Sequence, residues 1–107
     1  VDDGRYAIAF VRDKYRFNQW GRIKIAQALR LKQIGSEEIS QALEEVDEAE
    51  YLDILTSAVR RKLPTIKAVN DYERRGKLVR FAAGRGYEVE KILQCLGRIG
   101  YEDDSFD

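Results

Sequence analysis

The sequence contains no histidine, no methionine and only one cysteine, Cys95. A lone cysteine cannot form an internal disulfide, and a chain without histidine cannot build a Cys/His zinc site or use a histidine as general base. These absences exclude Ser-His-Asp hydrolysis and metal hydrolysis of the His-ligated kind, and we expect no cofactor. Since Val1 stands where an initiator methionine would, we also expect the natural chain to start upstream of it.

The sequence also lacks a convincing set of catalytic groups. Acids such as Glu37 and Glu38, or Glu44 and Glu45, are neighbours along one predicted helix and do not face each other across a cleft. Cys95 lies beside an apolar stripe, and no base can be assigned to it. A small hydrolase is therefore disfavoured, and we expect no enzymatic activity.

Long apolar runs are absent as well. None approaches the roughly 20 residues that a membrane-spanning helix needs, and no leader of secretory type opens the sequence. We therefore expect a soluble, cytoplasmic protein. Of the 107 residues, 44% are apolar and 36% are charged, whereas about a quarter of a typical domain is charged. This length and composition fit one small domain or two very small helical units.

Charge is unevenly distributed along the chain although the net charge is zero. Residues 5–32 carry eight bases and one acid, and residues 37–53 carry eight acids and no base. Residues 60–85 carry nine bases against two acids, and residues 88–107 carry six acids against two bases. Two basic faces of this kind suit an acidic protein surface or nucleic acid. Salt bridges between neighbouring helices are the alternative explanation.

Apolar residues recur at spacings of three and four, which predicts an all-α protein with six helices. We expect Asp3 to cap the first helix, Ser36 the third, and a capping box of Asp47 and Glu50 to start the fourth. Pro64 should end the fourth helix, and the fifth should occupy residues 66–83, with a short turn split off near residue 70. The stripes that we expect to face inward are Tyr6, Ala7, Phe10, Val11 and the stem of Lys14; Ile25, Ala28, Leu29 and Lys32; Ile39, Ala42, Leu43 and Val46; Leu52, Leu55, Ala58, Val59 and Leu63; and Val89, Ile92, Leu93 and Leu96.

The second and third predicted helices repeat in the fifth and sixth at a shift of 53 residues. This shift pairs Lys24 with Lys77 and Lys32 with Arg85, together with several apolar positions. The first and fourth helices instead align at a shift of 45 residues, so the second copy has eight extra residues in 64–71. We therefore predict tandem three-helix repeats in an elongated array, with units at residues 1–46 and 47–100 and an acidic tail at residues 101–107.

A set of short motifs extends over nearly the whole chain. They are Asp2-Asp3-Gly4-Arg5-Tyr6-Ala7, Phe10-Val11, Arg16, Trp20-Gly21, Lys24-Ile25, Leu29, Lys32 and Ile34, followed by Arg80-Phe81 and Arg85-Gly86-Tyr87. Together they resemble the RecX family, bacterial regulators of the RecA recombinase. Family members contain three such units, so the resemblance implies that this chain holds the second and third. Two positions depart from the family pattern: Ala28 replaces a common acid, and Gln33 replaces a glycine, which raises the free-energy cost of a left-handed backbone there.

The resemblance also implies a partner and an activity. Such proteins lie in the groove of the RecA nucleoprotein filament, bridge neighbouring protomers, and lower ATP hydrolysis, strand exchange and repressor cleavage. A rod of repeated units suits a helical filament because each unit can meet an equivalent feature of the polymer. We expect the RecA filament as partner, single- or double-stranded DNA as a further partner, no membrane, and a monomeric chain.

The candidate partner-binding residues surround the second and fifth helices. Trp20 can anchor an interface or stack on a base, although a tryptophan at a helix joint more often packs in the core. The Arg60-Arg61-Lys62 run needs no partner, since cations at a helix C terminus interact favourably with its carbonyl groups. The predicted partner-binding residues are Arg16, Trp20, Arg22, Lys24, Arg30, Lys32, Lys77, Arg80 and Arg85.

A second hypothesis is an autonomous DNA-binding module. In it, the second and third helices of each unit would act as a helix-turn-helix pair. The third helix opposes this hypothesis because a DNA groove would repel its acids, Glu37, Glu38, Glu44 and Glu45.

Overall fold

Six α-helices make up most of the structure, a computed structural model that describes residues 2–101. The predicted all-α class with tandem three-helix units is confirmed, and no strand occurs within that range. Apart from Tyr101, the predicted acidic tail lies outside the described residues. The helices are α1 (Asp3–Phe17), α2 (Arg22–Leu31), α3 (Ser36–Glu44), α4 (Glu48–Lys62), α5 (Asp71–Gly84) and α6 (Val89–Arg98), and a 3-10 turn (Leu63–Thr65) follows α4.

Aspartate side chains start the first helix of each unit. Asp2 caps α1, because its carboxylate accepts a hydrogen bond from the backbone N–H three residues later. The predicted cap, Asp3, is wrong by one residue and lies in the first turn, where the helix terminus favours an acid. Asp47 caps α4 as predicted and accepts from two backbone N–H groups of its first turn.

The starts of α3 and α5 also differ from the sequence prediction. Ser36 is already the first helical residue of α3, and Gly35 precedes it without a side-chain hydrogen bond. The predicted Ser36 cap is therefore wrong. Asn70 caps α5 by accepting from the backbone N–H of Glu73 at 2.8 Å, so α5 starts at Asp71 and not at residue 66.

The helix bounds reproduce both predicted repeat shifts. Adding 45 to the bounds of α1 gives those of α4, and adding 53 to the last residue of α2 gives that of α5. Lys24 and Lys77 each lie seven residues before the end of their helix, and Lys32 and Arg85 each directly follow it. The predicted equivalence of these bases is confirmed.

A left-handed residue precedes the third helix of each unit. Gly86 has φ +92°, and Gln33, its equivalent 53 residues earlier, has φ +65°. A side chain raises the free energy of this backbone by about 1 kcal/mol relative to glycine. The strain that the sequence predicts at Gln33 is therefore present in the fold.

One continuous core runs through both units. Ile25, Leu29, Leu55 and Leu78 are fully enclosed in it, and each contributes about 1.5–3 kcal/mol through burial. The apolar stripes missed seven residues of this core, which are Tyr15, Ala26, Tyr51, Leu78, Ala82, Tyr87 and Cys95.

Four residues that were predicted to face inward are exposed, which are Tyr6, Lys32, Val89 and Leu93. Val89 and Leu93 lie on the solvent side of α6, one turn apart, and Tyr6 is 43% exposed. Tyr51, the equivalent of Tyr6, is only 1% exposed because the first unit packs over it. The equivalent side of the first unit faces solvent, so the prediction that Tyr6 lies in the core is wrong. Phe10 beside it is partly buried against the core.

The two units lie along one long axis. The described part of the chain measures 52 × 25 × 18 Å, which confirms the predicted elongated array. Helix α1 packs against α2, α3 and α4, and α4 packs against α5 and α6. The core therefore continues through α1 and α4, while α2 and α5 each leave one side exposed.

Candidate partner-binding surface

The two units meet where the α1–α2 connection contacts the α5–α6 connection, a contact that we call the junction. The Gly21 N–H donates to the carbonyl of Arg85 at 2.8 Å, and the Ile23 N–H donates to that of Gly86 at 3.0 Å. A Cβ atom on Gly21 would overlap the backbone of Gly86, and one on Gly86 would overlap Lys24. Both positions therefore require glycine for this close approach.

Tyr51 is the polar centre of the junction. Its hydroxyl accepts a hydrogen bond from the Arg22 backbone N–H at 2.8 Å and donates one to Glu88 at 2.5 Å. The Arg22 guanidinium lies 4.2 Å from the centre of the Tyr51 ring and forms salt bridges with Glu88, at 2.8 Å, and with Glu48. Lys91 binds the same Glu48 carboxylate at 3.1 Å. An arginine between an aromatic ring and two carboxylates thus joins α2 to the starts of α4 and α6.

Glu50 forms a second polar contact between the units. Its carboxylate accepts a hydrogen bond from the Tyr15 hydroxyl at 2.5 Å and forms a salt bridge with Arg16 at 3.0 Å. Glu50 does not turn back to the cap residue Asp47, as a capping box requires. The predicted box is therefore half formed, because the Glu50 side chain binds α1 instead.

The junction lowers the pKa of both of its α4 carboxyl groups. Hydrogen bonds from Tyr15 and then from Arg16 lower the pKa of Glu50. For Glu48, burial acts to raise the pKa, but the neighbouring cations outweigh it and the pKa is lowered. Both carboxylates are therefore charged at neutral pH, as their salt bridges require.

The junction tyrosines are held in the protonated form. Burial, and then the hydrogen bond to Glu88, raises the pKa of Tyr51 far above its ordinary value. Burial also raises the pKa of Tyr87, whose ring centre lies 5.3 Å from that of Tyr51. The Tyr87 hydroxyl is enclosed and has no hydrogen-bond partner in the described structure, which adds a free-energy cost to this side of the core.

Four of the nine predicted partner-binding residues make polar contacts within the chain. Arg16 and Arg22 hold the junction carboxylates, and Arg85 donates to the Asn18 carbonyl at 3.1 Å. Lys77 forms a salt bridge with Glu73 at 3.3 Å. The geometry gives these four an internal role, and partner contact through them stays a prediction. The other five form no salt bridge and no side-chain hydrogen bond to residues 2–101: Trp20, Lys24, Arg30, Lys32 and Arg80.

Three lysines and two aromatic rings converge on the α1–α2 side of the first unit. The Nζ atom of Lys14 lies 5.3 Å from the centre of the Phe10 ring and 5.0 Å from that of Trp20. Lys24 lies 4.5 Å from the Trp20 ring centre, and Lys32 lies 5.7 Å from that of Phe10. None of the three ammonium groups forms a salt bridge within the described part of the chain. Three positive charges thus share a small area without a paired acid.

Exposed aromatic side chains extend this area along α1. Phe17 is 77% exposed, and the Tyr6 ring packs against Phe10 with centroids 6.0 Å apart. These three rings line a shallow groove whose walls also include Ala9 and Asp13. We call the whole area the aromatic–lysine surface, which consists of Tyr6, Phe10, Lys14, Phe17, Trp20, Lys24 and Lys32.

The equivalent side of the second unit is built differently. Glu73 occupies the position of Trp20 and pairs with Lys77, and the ammonium group of Lys77 also donates to the carbonyl of Lys67 at 2.5 Å. The position of Lys14 is occupied by Val59, which is buried in the core. Two cations do lie over a ring on this side, since Lys62 and Arg85 are 5.4 and 5.3 Å from the centre of the Phe81 ring. Tyr51 and Leu55, at the positions of Tyr6 and Phe10, are buried, so the second unit shares the cation–ring pairing but not the aromatic groove.

Sequence reasoning found only part of this surface. It placed Tyr6 and Phe10 in the core and treated Phe17 only as the end of a helix. A usable signal was present, because Phe10, Lys14 and Phe17 follow one another at spacings of four and three and so share one side of α1. Sequence reasoning also missed the junction residue Tyr51.

The described residues offer no site for metal or thiol chemistry. No group of three or more His, Cys, Asp or Glu side chains in residues 2–101 could hold a metal ion. Cys95 is buried, and burial raises the pKa of its thiol, which disfavours the reactive thiolate. No helix in that range is long and apolar enough to span a bilayer.

Both units match domains of one known family. Residues 2–43 match the second three-helix domain of RecX, and residues 48–96 match the third. The regulatory protein RecX of Pelodictyon phaeoclathratiforme is 29% identical over 107 residues, covering 97% of this chain and 65% of that protein. The regulatory protein RecX of Clostridium beijerinckii is 30% identical over 101 residues, covering 92% of this chain and 46% of that protein. The chain thus spans 46% and 65% of these two curated relatives, and no solved structure matches it.

Proposed function

Because the chain belongs to the RecX family, we propose that it regulates the recombinase RecA. The match of both units to consecutive RecX domains is the observation that carries this proposal. More specifically, we propose that the protein binds in the groove of the RecA–DNA filament and lowers ATP hydrolysis, strand exchange and repressor cleavage. It does so in the cytoplasm as a monomer, without a cofactor or a catalytic step of its own.

The shape of the molecule supports filament binding. The two units follow each other along a 52 Å axis, so each can contact an equivalent feature of a polymeric partner. Once one unit is bound, the second binds at a high effective concentration, and weak contacts add.

The cations without internal salt bridges are the ones that we assign to partner contact. Arg30, Lys32 and Arg80 are exposed, and Lys24 and Trp20 are half-buried. Three of the four internally engaged bases link the units and so fix the position of the exposed cations, whereas Lys77 pairs with Glu73 inside its own unit. Those four are Arg16, Arg22, Lys77 and Arg85.

ATP hydrolysis by RecA filaments on single-stranded DNA tests the proposal. The natural full-length protein is added in substoichiometric amounts, and we expect the steady-state hydrolysis rate to fall. A heat-denatured sample of the same protein serves as the control. A rate that stays unchanged with native protein would refute the proposed function.

Direct binding of duplex DNA is a second candidate function. The unpaired lysines around Trp20 favour it, whereas the exposed acids in α3 and directly after it, Glu37, Glu44 and Glu45, oppose it. Affinity for duplex without RecA, measured over a range of salt concentrations, separates the two functions. A log–log slope of about −4 or steeper, for roughly five phosphates, would support DNA binding, and a shallow slope would dismiss it.

A further inference from the structure

We propose that the aromatic–lysine surface binds an acidic, amphipathic helical segment of a partner protein. Apolar side chains of that segment lie against the rings along α1, and its carboxylates bind the ammonium groups beside Trp20. This inference adds a binding surface to the proposed function. It rests on that function only for the identity of the protein that carries the segment.

Charge complementarity is the first argument for an acidic segment. Lys14, Lys24 and Lys32 place three ammonium groups around two rings without a salt bridge inside residues 2–101. Their mutual repulsion is unfavourable unless a partner supplies negative charge, and the aromatic faces hold the ammonium groups in place. A carboxylate that approaches this area therefore meets cations that are already positioned.

The junction shows how this chain binds carboxylates. The Arg22 guanidinium lies on the Tyr51 ring and binds Glu48 and Glu88 on its other sides. Both glutamates lie at the start of a helix, Glu48 as the first residue of α4 and Glu88 as the cap position of α6. The aromatic–lysine surface repeats the pairing of a cation with a ring, so a helix start that carries acids fits its chemistry.

The groove along α1 indicates that the segment also has an apolar side. Tyr6, Phe10 and Phe17 lie on one side of the helix, and the small side chain of Ala9 leaves space between them. A helix that places apolar residues at i, i+4 and i+7 presents a matching ridge. Phe17 and Tyr6 lose exposed apolar surface in such a complex, which favours binding.

A nucleic acid fits the same surface less well. Aromatic rings and lysines can stack bases and bind phosphates, but the exposed carboxylate of Asp13 lies in the groove between the rings. That charge repels a phosphate backbone along the groove, whereas an amphipathic helix lays its apolar side in the groove and its carboxylates beside the lysines around Trp20. The observations therefore favour a protein segment.

Trp20 makes the test direct because it is the only tryptophan of the chain. The probe is a synthetic helical peptide with leucines on one face and glutamates beside them, titrated while the fluorescence of Trp20 is recorded. The comparison probes are a peptide of the same composition in scrambled order and a single-stranded oligonucleotide. We expect a saturable change with the amphipathic peptide and at least roughly tenfold weaker binding of the other two.

Two charge-matched variants locate the binding. The double variant Lys14→Gln/Lys24→Gln should bind the amphipathic peptide at least roughly tenfold more weakly. The control Arg61→Gln/Lys67→Gln removes two exposed cations of the second unit and should bind within about twofold of the natural sequence. Replacing Phe17 by alanine should weaken binding, while replacing Tyr72, an aromatic of the second unit that is 89% exposed, should not.

Three outcomes would overturn the inference. They are an unchanged Trp20 signal with the amphipathic peptide, tighter binding of the oligonucleotide than of the peptide, and equal losses in the two double variants. The RecA hydrolysis assay is independent of this titration. If the natural protein does not bind the peptide but inhibits RecA, the surface is rejected and the proposed function stands. If it binds the peptide but does not inhibit RecA, the proposed function is rejected and the surface stands.

Discussion

The two units share a helical frame but differ in what they expose. In the first unit, residues 18–21 connect the first two helices, and the α1–α2 side carries exposed rings and unpaired lysines. In the second unit, residues 63–70 form a longer connection, whose Lys67 carbonyl binds Lys77 on the equivalent side. The comparison teaches that a repeat can keep its core spacing while substitutions and a local insertion change what each copy exposes.

The same comparison explains why Tyr51 is buried while Tyr6 is exposed. These residues occupy equivalent positions of α1 and α4, but only Tyr51 has a neighbouring unit packed over it. A buried tyrosine hydroxyl without a partner carries a free-energy cost, as at Tyr87. At Tyr51, Arg22 and Glu88 supply both a donor and an acceptor. One position is thus a structural centre in the second unit and a surface residue in the first.

Substitution of Gly86, one of the two junction glycines, should produce the largest loss of stability. Gly86→Ala places a Cβ against the backbone of Lys24 at a position with φ +92°, so we expect a loss of about 3 kcal/mol or more. Gly84→Ala is the matched control, because a Cβ there meets open space, and its effect should stay within about 1 kcal/mol. Urea unfolding measures both, and similar losses would contradict the tight contact between the units.

Removal of the Tyr51 hydroxyl should lower stability more than removal of the hydroxyl of its equivalent, Tyr6, but less than the glycine substitution. Tyr51→Phe leaves the Arg22 backbone N–H without a partner and removes one hydrogen bond from Glu88, which keeps its salt bridge with Arg22. We therefore expect a loss of about 1–3 kcal/mol. Tyr6→Phe removes an exposed hydroxyl and should change stability by less than about 0.5 kcal/mol. Equal effects in thermal or urea unfolding would show that Tyr51 is not the polar centre of the junction.

Acid should weaken the junction. The pKa of Glu50 and that of Glu48 lie below the ordinary value of 4.5 in the folded protein, so the unfolded chain takes up protons first as the pH falls. Their stabilising contribution is present above that ordinary value and is lost as the pH falls through the lowered folded values. Urea unfolding at neutral and acidic pH should show a smaller loss in Glu50→Gln than in the natural sequence. Glu37→Gln, which changes an exposed acid of α3, should keep the natural loss, and identical behaviour of the two variants would contradict the assignment.

Replacing Gln33 of the first unit by glycine should give the smallest change in stability, and that change should be an increase. Gln33 has the left-handed backbone that Gly86 has in the second unit, so Gln33→Gly should raise the free energy of unfolding by about 0.5–1 kcal/mol. The reverse change in the other unit, Gly86→Gln, should be strongly destabilising. A loss of stability in Gln33→Gly would show that its side chain contributes more than its backbone strain removes.

The sequence predicted most of the helical frame. Spacings of three and four predicted six helices, and the shift of 53 residues paired Lys24 with Lys77 and Lys32 with Arg85. Local rules were accurate at the Asp47 cap and at Gln33, but they misplaced the caps of α1 and α3 by one residue. The unit boundaries at residues 46 and 47 and the tail from residue 101 stay predictions.

Sequence patterns failed where contacts between distant residues decide. Glu50 has the spacing of a capping box, but Tyr15 and Arg16 of another helix compete for its carboxylate. Tyr6 has the spacing of a core residue, yet its burial depends on a neighbouring unit. The aromatic–lysine surface depends on how α2 packs beside α1, which periodicity within one helix cannot specify.

Inhibition of RecA hydrolysis by charge-matched variants of the natural full-length protein tests the central claim most directly. The claim is that the open surface of the first unit, and not positive charge in general, recognises the partner. We predict that Lys14→Gln/Lys24→Gln needs at least roughly tenfold more protein for half-maximal inhibition, while Arg61→Gln/Lys67→Gln stays within about twofold of the natural sequence. Equal inhibition by the two variants, with both folded as judged by urea unfolding, would contradict the account.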